Sequence, residues 1–265
     1  MMRRNICWQT LFVEMIVMQT EWETAPNELH LVASETHLWR IVIEEKSFDL
    51  HSLTQLLSED EMSRANRFRF QKDRMQFIIA RGMLRTILSR YLNVQPASLR
   101  FGYGAQGKPY LTDENGEPHN IRFNLSHSEE IILYAVMRGQ ELGIDVERIR
   151  PEFATDTIAE QFFSPSEVKS LRRLAPALQP EAFFNCWTRK EAFLKARAEG
   201  LTYPLDQFEV SLLPDEPPAL LSLADSSQEI SRWSFFHLMP KPDYIGTLVV
   251  NGHCAQLRHF TDNYS

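Results

Sequence analysis

The sequence has few cysteines, no long apolar run and no excess of basic residues. Its three cysteines are far apart and form no C-x-x-C pair, which argues against a disulfide framework or a zinc site and favours a reducing, cytoplasmic compartment. No run of about 18 apolar residues occurs, so we expect no membrane-spanning helix. Lys and Arg number 28 against 35 Asp and Glu, a formal net charge of −7, which argues against broad nucleic-acid binding.

The N-terminus carries a weak signal-peptide pattern. Two arginines precede a partly apolar stretch, but polar residues interrupt it and no A-x-A-like cleavage site follows. We therefore expect residues 1–30 to be an N-terminal extension that is flexible or wrongly assigned to the protein. Met15 or Met18 would then be the natural start.

Hydrophobic residues make up 43% of the 265 residues and charged residues 24%, which is enough apolar material for one large domain or two ordinary ones. The segment "HLWRIVI" (37–43) predicts an early strand. Apolar positions after Asp73 recur at helical spacing, and Ser58 with Glu61 forms a capping-box pattern before that helix. Short apolar runs separated by turn residues then predict several strands. Helices followed by strands are typical of an α+β unit.

The second half of the chain repeats this order. Ser164 and Glu167 form another capping-box pattern, and a helix is predicted from after Pro180 to Gly200. "LSEDE" and "FSPSE" lie 106 residues apart, and two further pairs lie 108 apart. The near-constant offset predicts an internal duplication. We expect an α+β fold of two pseudo-symmetric halves, each a helical block plus a small antiparallel sheet, with the active site in the cleft between them. The predicted boundaries are 31–147 for the N-terminal half, 148–153 for a linker, 154–255 for the C-terminal half and 256–265 for a tail.

Two acids, Asp145 and Glu147, end the apolar run "LGIDVE". Alternate residues of a strand face the same side, so both carboxylates are expected on one face, about 6–7 Å apart along the chain. Oxygen ligands of this kind suit a hard cation such as Mg²⁺. The alternative is a solvated strand end on which the acids pair with Arg148 or Arg150.

A second group of candidate residues lies in the helical segment "WTRKEAFLKA". Glu191 and Lys195 are four residues apart and share one helix face. Glu191 would complete a metal site with Asp145 and Glu147, and Lys195 would reach a phosphate. The alternative is an ordinary exposed Glu–Lys pair, worth a few tenths of a kcal/mol, with the neighbouring Lys190 facing solvent.

Two further motifs suit anionic ligands. In "GAQGKPYL", glycines allow close backbone approach, Lys108 supplies a positive charge and a proline stiffens the turn, although most such turns are only surface loops. "FNLSHS" ends a strand with Ser126 and His127. Because adjacent strand residues point to opposite faces, they make a poor nucleophile–base pair, and a phosphate-binding corner fits better. The alternative for His127 is a structural hydrogen bond to a loop carbonyl.

The order G-K-P, S-H-S, G-I-D-V-E and W-x-x-K-E-A-x-x-K resembles the Sfp-type 4′-phosphopantetheinyl transferases over about residues 55–210. The resemblance implies a transferase that moves the 4′-phosphopantetheine group of coenzyme A to a serine of an apo acyl or peptidyl carrier protein, releasing 3′,5′-ADP. It implies Mg²⁺, with Mn²⁺ as an alternative, and a role in fatty-acid, polyketide or nonribosomal peptide biosynthesis. We expect a cytoplasmic monomer without nucleic-acid or membrane partners.

The resemblance also implies roles for individual residues. Glu191 and Lys195 would be catalytic, and the metal ligands would be Asp145, Glu147 and Glu191. Glu167 resembles a family acid near the site. The implied coenzyme A contacts are Lys108, Ser126, His127, Arg81, Arg64, Lys195 and Asp145.

Carrier docking is a separate hypothesis, because an acidic protein would need a local basic patch to bind an acidic partner. The segment "VKSLRRLAP" offers such a patch, and its alternative is a solvated helix face. The candidate docking residues are Phe163, Lys169, Arg172 and Arg173. Two other functions stay open: a metal-dependent phosphodiesterase of coenzyme A-like nucleotides, and a non-catalytic module that binds carrier proteins.

Overall fold

The computed structural model describes residues 21–43, 48–198, 203–223 and 229–261. Three sequence predictions lie partly outside these ranges: the N-terminal extension at residues 1–20, the helix end at Gly200 and the tail at residues 262–265. No helix in the described ranges combines the length and the apolar character needed to cross a bilayer.

The described ranges contain six α-helices and twelve strands. The helices are α1 (Leu50–Leu56), α2 (Glu59–Ala65), α3 (Gln71–Leu92), α4 (Asp156–Phe162), α5 (Pro165–Arg172) and α6 (Gln179–Arg197). The first seven strands are β1 (Glu23–Thr24), β2 (Glu35–Val42), β3 (Arg100–Tyr103), β4 (Pro109–Thr112), β5 (Ile121–Ser128), β6 (Ile131–Arg138) and β7 (Leu142–Arg148). The other five are β8 (Phe208–Val210), β9 (Leu220–Leu223), β10 (Trp233–Leu238), β11 (Tyr244–Asn251) and β12 (Gln256–Thr261).

Two sheets pack face to face, with helices on their outer sides. The first has the order β1-β12-β2-β6-β5 and the second the order β10-β11-β7. Strand alternation assigns each side chain to a layer: in β6, Leu133 joins the core between the sheets, whereas Tyr134 joins the core beneath α3. In β11, Leu248 joins the core between the sheets and Val249 the core beneath α6. The result is a four-layer α/β/β/α arrangement.

The two halves have the same order of elements. A strand (β2 or β7) is followed by three helices, a two-stranded sheet (β3–β4 or β8–β9) and two antiparallel strands. The pairing is also the same in both sheets. In the first sheet β2 lies beside β6, with β5 on the far side of β6; in the second sheet β7 lies beside β11, with β10 on the far side of β11. The mixed α+β class predicted from the sequence is therefore confirmed.

Strand pairing changes the expected division of the chain. β7 pairs with β11, with Asp145 opposite Thr247, so the change from one sheet to the other falls between β6 and β7, before the linker expected at 148–153. The expectation of a tail from residue 256 is wrong for residues 256–261. These residues form β12, which lies between β1 and β2 and runs parallel to both. The polar sequence of β12 gave no strand pattern, because the strand is stabilised by pairing on two sides.

The helix ends agree with the sequence predictions. Glu61 accepts a hydrogen bond from the Ser58 backbone N–H at 3.0 Å, and Glu167 accepts one from the Ser164 N–H at 2.8 Å. Both predicted capping boxes are thereby confirmed. α3 ends at Asn93, which adopts the left-handed conformation at φ 53°, a common C-terminal stop for a helix.

Candidate active site

The site lies where β5 runs beside β7, the strands that connect the two sheets. Side chains of β5 bridge the gap between the strands. Ser126 Oγ donates to Asp145 Oδ1 at 2.9 Å, and Ser128 Oγ donates to Glu147 Oε2 at 2.8 Å. Asn124 Oδ1 accepts from a β7 backbone N–H at 2.9 Å. These alternate residues of β5 fix the position of both acids.

Lys195 joins α6 to this pair of strands. Its Nζ lies 2.6 Å from Asp145 Oδ1, 3.0 Å from Ser126 Oγ and 3.2 Å from the carbonyl oxygen of Ile144. The Asp145 side chain is 6% exposed and the Lys195 side chain 29%. The alternative of an ordinary exposed Glu191–Lys195 pair is therefore wrong, because Lys195 pairs with Asp145 across elements. The alternative of solvated acids on a strand end also fails for Asp145.

Three carboxylates share one electrostatic environment. Burial and the charge of Asp145 raise the pKa of Glu191 to about 7, with a smaller raising contribution from Glu147. Burial and Asp145 also raise the pKa of Glu147. The negative charge of Asp145 makes ionisation of Glu147 and of Glu191 less favourable. Glu191 is thus in the electrostatic surroundings of Asp145 and Glu147. The assignment of the three acids as metal ligands stays a prediction.

The donor set suits a hard cation. Asp145 Oδ2 is buried and has no hydrogen-bond partner in the described part of the chain, an arrangement that is costly without a ligand. All three acids supply oxygen, the ligand that Mg²⁺ prefers. In the described ranges, no three His, Cys, Asp or Glu side chains are already arranged around a common metal position, and Lys195 occupies the other oxygen of Asp145. The oxygen donors therefore suit a hard cation, although the described residues do not enclose one.

Gly143 sets the distance between β7 and α6. A Cβ atom at this position would lie 2.1 Å from the Ala192 carbonyl oxygen and 2.4 Å from the Ala196 nitrogen, far inside van der Waals contact. The missing side chain lets the helix backbone lie directly on the strand. This close approach brings Glu191 and Lys195 to the acids of β7.

His127 faces away from Ser126, as strand alternation predicts. Ser126 is buried against Asp145, whereas His127 is exposed. The expected alternative is a hydrogen bond from His127 to a loop carbonyl, and no such bond is found among the described residues. The His127 Nδ1 instead lies 3.3 Å from Gln76 Nε2, and it is Gln76 that reaches the loop carbonyl of Glu129.

Lys108 borders a cavity next to β7. Its Nζ donates to Glu141 Oε2 at 3.1 Å and to the Leu142 carbonyl at 2.9 Å. The pKa of Lys108 is lowered, because the effect of burial exceeds the opposing effect of the nearby Glu141 charge. The cavity has a volume of about 230 Å³ and is largely apolar, with Lys108, Tyr110, Arg122 and Glu141 among its lining residues.

The two arginines predicted to contact coenzyme A have other partners. Arg81 forms a buried ion pair with Glu61 at 2.6 Å, and Arg85 pairs with the second oxygen of Glu61 at 2.7 Å. Arg64 is exposed and lies over the Phe77 ring, 5.6 Å from its centre. Neither Arg64 nor Arg81 makes a hydrogen bond or ion pair with the acids of β7 in the described residues.

The expectation that Lys190 faces solvent is wrong. Lys190 is fully buried and pairs with Glu167 at 2.8 Å, and its Nζ also donates to the carbonyls of Leu205 and Phe208. These acceptors offset the cost of burying the charge. Glu167 is therefore held in the core of the C-terminal half, where it links α5, α6 and β8. Among the hydrogen bonds and ion pairs of the described residues, none joins Glu167 to the acids of β7.

The predicted docking residues differ in their exposure and contacts. Phe163 is 3% exposed and packs on Phe183, so its assignment to an exposed docking surface is wrong. This residue directly follows α4 and turns inward. Arg172 forms ion pairs with two acids of α4, Asp156 and Glu160. Lys169 and Arg173 are exposed.

Sequence reasoning missed four residues that shape the site: Asn124, Ser128, Gln76 and Gly143. Asn124 and Ser128 alternate with Ser126 in "FNLSHS", so the period of a strand could have placed all three on one face. Gly143 precedes the two acids, and its small size was the available signal. Nothing in the sequence indicated that Gln76 would reach His127.

The fold is of the α+β class, and its candidate site places carboxylates and Lys195 where the two sheets meet. Comparison with known families gives the family. Residues 141–249 match the model of the 4′-phosphopantetheinyl transferase superfamily, and residues 44–139 match that of the 4′-phosphopantetheinyl transferase N-terminal region. The chain belongs to the 4′-phosphopantetheinyl transferase superfamily.

Two curated relatives illustrate this membership. The chain is 39% identical to the 4′-phosphopantetheinyl transferase HetI of Nostoc sp., over 89% of this chain and 96% of the relative. It is 30% identical to the 4′-phosphopantetheinyl transferase Sfp of Bacillus subtilis, over 60% of this chain and 68% of the relative. Among solved structures, the holo-[acyl-carrier-protein] synthase of Thermotoga maritima matches with a TM-score of 0.33 at 22% identity, covering 43% of this chain and 63% of that one.

Proposed function

We propose that the protein transfers the 4′-phosphopantetheine group of coenzyme A to a serine hydroxyl of an apo acyl or peptidyl carrier protein. The observation that carries this proposal is the electrostatic coupling of Asp145, Glu147, Glu191 and Lys195, together with a buried oxygen of Asp145 that has no partner in the described part of the chain. Membership of the 4′-phosphopantetheinyl transferase superfamily supports the reaction that we assign to this acidic site.

The residues of the site match the needs of the reaction. A serine hydroxyl is a weak nucleophile at neutral pH and needs a base, and Glu191, with its pKa raised to about 7, is suited to accept the proton. The serine oxygen forms a bond to the β-phosphorus of coenzyme A while the bond from that phosphorus to the bridging oxygen breaks. The released 3′,5′-ADP carries the new negative charge, which Lys195 is positioned to stabilise.

We propose that Asp145, Glu147 and Glu191 hold Mg²⁺, with Mn²⁺ as an alternative. The unpartnered oxygen of Asp145 and the raised pKa values of Glu147 and Glu191 support this assignment. When bound, such an ion neutralises charge on the diphosphate of the substrate.

We propose Ser126, His127 and Lys108 as contacts for coenzyme A. Ser126 and Lys195 are hydrogen-bonded to each other beside Asp145, and Lys108 borders the neighbouring cavity. Arg81 would have to leave Glu61 to bind a phosphate. We therefore favour the exposed Arg64 as the contact from this region.

We infer that the two halves arose by duplication and that the site lies in the cleft between them. The repeated order of elements and the matching strand orders support a common origin. Because β5 of one half and β7 and α6 of the other supply the proposed ligands, one copy of the chain is sufficient to build the site. We propose a monomer that acts in the cytoplasm.

We propose that Lys169, Arg172 and Arg173 contact an acidic face of the carrier. Reversing the two exposed charges, in Lys169→Glu/Arg173→Glu, should raise the KM for the carrier because like charges then face each other. The Kd for coenzyme A should not change. The control is the neutral double variant Lys169→Gln/Arg173→Gln, which should have a smaller effect. An unchanged KM in the reversed variant refutes this docking surface.

One incubation separates the proposed function from its two alternatives. The protein is mixed with an apo carrier protein, coenzyme A and Mg²⁺, and the carrier and nucleotide products are then identified by mass. A phosphopantetheine mass gain on the carrier supports transfer. Cleavage of coenzyme A without a gain indicates a phosphodiesterase, and a carrier that binds without either change indicates a non-catalytic module.

A further inference from the structure

Gln76, on α3, contacts two groups at the end of β5. Its Nε2 donates to the carbonyl oxygen of Glu129 at 3.0 Å and lies 3.3 Å from Nδ1 of His127. Gln76 thereby connects the helix of the N-terminal half to a residue proposed to contact coenzyme A.

The first of these contacts fixes the orientation of the amide. A backbone carbonyl can only accept a hydrogen bond, so the group of Gln76 that faces Glu129 must be the NH₂. The opposite orientation would place two oxygens against each other. The hydrogen-bonding partner therefore determines which end of the Gln76 amide is the nitrogen and which is the oxygen.

The second contact fixes the proton of the imidazole. The amide nitrogen carries two hydrogens and has no acceptor capacity. One hydrogen is directed to Glu129, and the other is available for His127. Nδ1 of His127 must then be the unprotonated acceptor, so the neutral ring carries its proton on Nε2. A second proton on Nδ1 would face an N–H group, which disfavours the charged imidazolium.

The turn that supplies the carbonyl is itself held in place. Glu129 has φ 48°, in the left-handed region, and its carboxylate lies 3.7 Å from Lys72 Nζ and 3.5 Å from Arg150 Nη1. Lys72 and Gln76 are four residues apart on α3 and therefore share one face. The acceptor that orients Gln76 is thus tied to the helix at two points.

We propose that Gln76 is a positioning residue that presents His127 as a neutral hydrogen-bond donor, with its proton on Nε2, to a phosphate oxygen of coenzyme A. This inference rests on the proposed function for the identity of the ligand. The His127 ring is exposed, and its Nε2 has no hydrogen-bond partner among the described residues. A phosphate oxygen is an acceptor, so it matches the donor that Gln76 leaves available.

Calorimetric titration of the full chain with coenzyme A tests the coupling between Gln76 and His127. Gln76→Leu should weaken binding by about threefold to tenfold, the range expected for one well-placed hydrogen bond. The same substitution in a His127→Ala background should change the Kd less than twofold, because no ring remains to be oriented. The matched control is Gln55→Leu, since Gln55 contacts His51 on the exposed face of α1 at 2.9 Å; its Kd should equal that of the wild type.

The proposal is overturned if Gln76→Leu weakens coenzyme A binding equally in the wild-type and His127→Ala backgrounds, or if it does not weaken binding at all. Nitrogen-15 NMR of labelled histidines gives a second readout that does not depend on the ligand. The wild-type His127 should show a protonated Nε2 and an unprotonated Nδ1, and Gln76→Leu should raise the share of rings protonated on Nδ1, because no amide N–H then faces that nitrogen. An unchanged His127 pattern in Gln76→Leu also overturns the proposal. If the wild type fails to bind coenzyme A while the NMR pattern is as expected, the proposed function fails and the role of Gln76 as the residue that sets the tautomer stands.

Discussion

At the scale of single residues, the two oxygens of Asp145 have different environments. Oδ1 accepts hydrogen bonds from Ser126 and Lys195, whereas Oδ2 is buried and has no partner among the described residues. A carboxylate held so firmly on one side presents its other oxygen in a fixed direction. Glu147 is positioned in the same way by Ser128. Hydrogen bonds from β5 therefore fix one oxygen of each acid.

The raised pKa of Glu191 predicts a pH-dependent response to Mg²⁺. The usual glutamate pKa is 4.5 and the folded value about 7, so between these values the metal-free folded state binds more protons than the unfolded state, and stability falls as the pH rises. Mg²⁺ must displace that proton at pH 6 but not at pH 8. Added Mg²⁺ should therefore raise the Tm more at pH 8 than at pH 6. In Glu191→Gln the difference between the two pH values should shrink; equal shifts at both pH values in the wild type contradict the metal assignment.

At the scale of elements, the contact of α6 with β7 builds the site. Apolar residues of β7 face the core between the sheets, while Gly143 and Asp145 face the helix. The absence of a side chain at Gly143 is what allows contact between the two backbones. Lys190 and Glu167 hold the same helix on its other side through a buried ion pair.

Gly143→Ala should therefore damage both stability and activity. The new methyl group would overlap the backbone of Ala192 and Ala196, and overpacking of this kind typically costs about 1–3 kcal/mol. Displacement of α6 would also carry Glu191 and Lys195 away from Asp145. Urea unfolding and the transfer rate measure the two effects. Gly104→Ala is the control for stability, because its Cβ would have no neighbour closer than 3.7 Å; equal stability of the two variants contradicts this role of Gly143.

Much of this element-scale arrangement could be predicted from the sequence. Alternation in "LGIDVE" placed Asp145 and Glu147 on one face, and the capping patterns at Ser58 and Ser164 identified two helix starts, because both signals are local. The bridge from Ser128 to Glu147 could not be predicted, since it depends on which strands lie side by side. The same holds for Lys190, whose burial depends on acceptors from distant segments.

At the scale of the whole molecule, the last described strand, β12, pairs with the first two described strands, β1 and β2. β12 follows the strands of the second sheet but lies in the first, between β1 and β2. Phe260 of β12 packs on Trp39 of β2, with ring centres 5.1 Å apart. The sequence prediction missed this strand because its pairing partners are more than 200 residues away.

Removal of residues 256–265 should therefore destabilise the N-terminal half. It deletes a central strand and exposes the edge and apolar surface of β2, including the buried Trp39, which favours aggregation. Thermal unfolding and size-exclusion chromatography measure the outcome, which we expect to be a clear loss of Tm or of soluble protein. Removal of residues 262–265 alone is the control, since the pairing of β12 ends at Thr261. Unaltered unfolding of the longer deletion contradicts a structural role for β12.

The arrangement of the whole molecule thus brings β5 from one half and β7 with α6 from the other to one acidic site. Glu191 is the residue on which most of the proposed chemistry depends, because it is the candidate base and a candidate metal ligand. Glu181, in the first turn of the same helix, offers a control at which the charge changes without touching the site.

The most direct measurement is the rate at which an apo carrier protein gains the phosphopantetheine mass in the presence of coenzyme A and saturating Mg²⁺. We predict transfer by the wild type and by Glu181→Ala at similar rates. Glu191→Ala should be slower by about a hundredfold to ten-thousandfold, the range typical for the loss of a general base. Transfer by Glu191→Ala at the wild-type rate would contradict the assignment of the active site to Asp145, Glu147 and Glu191.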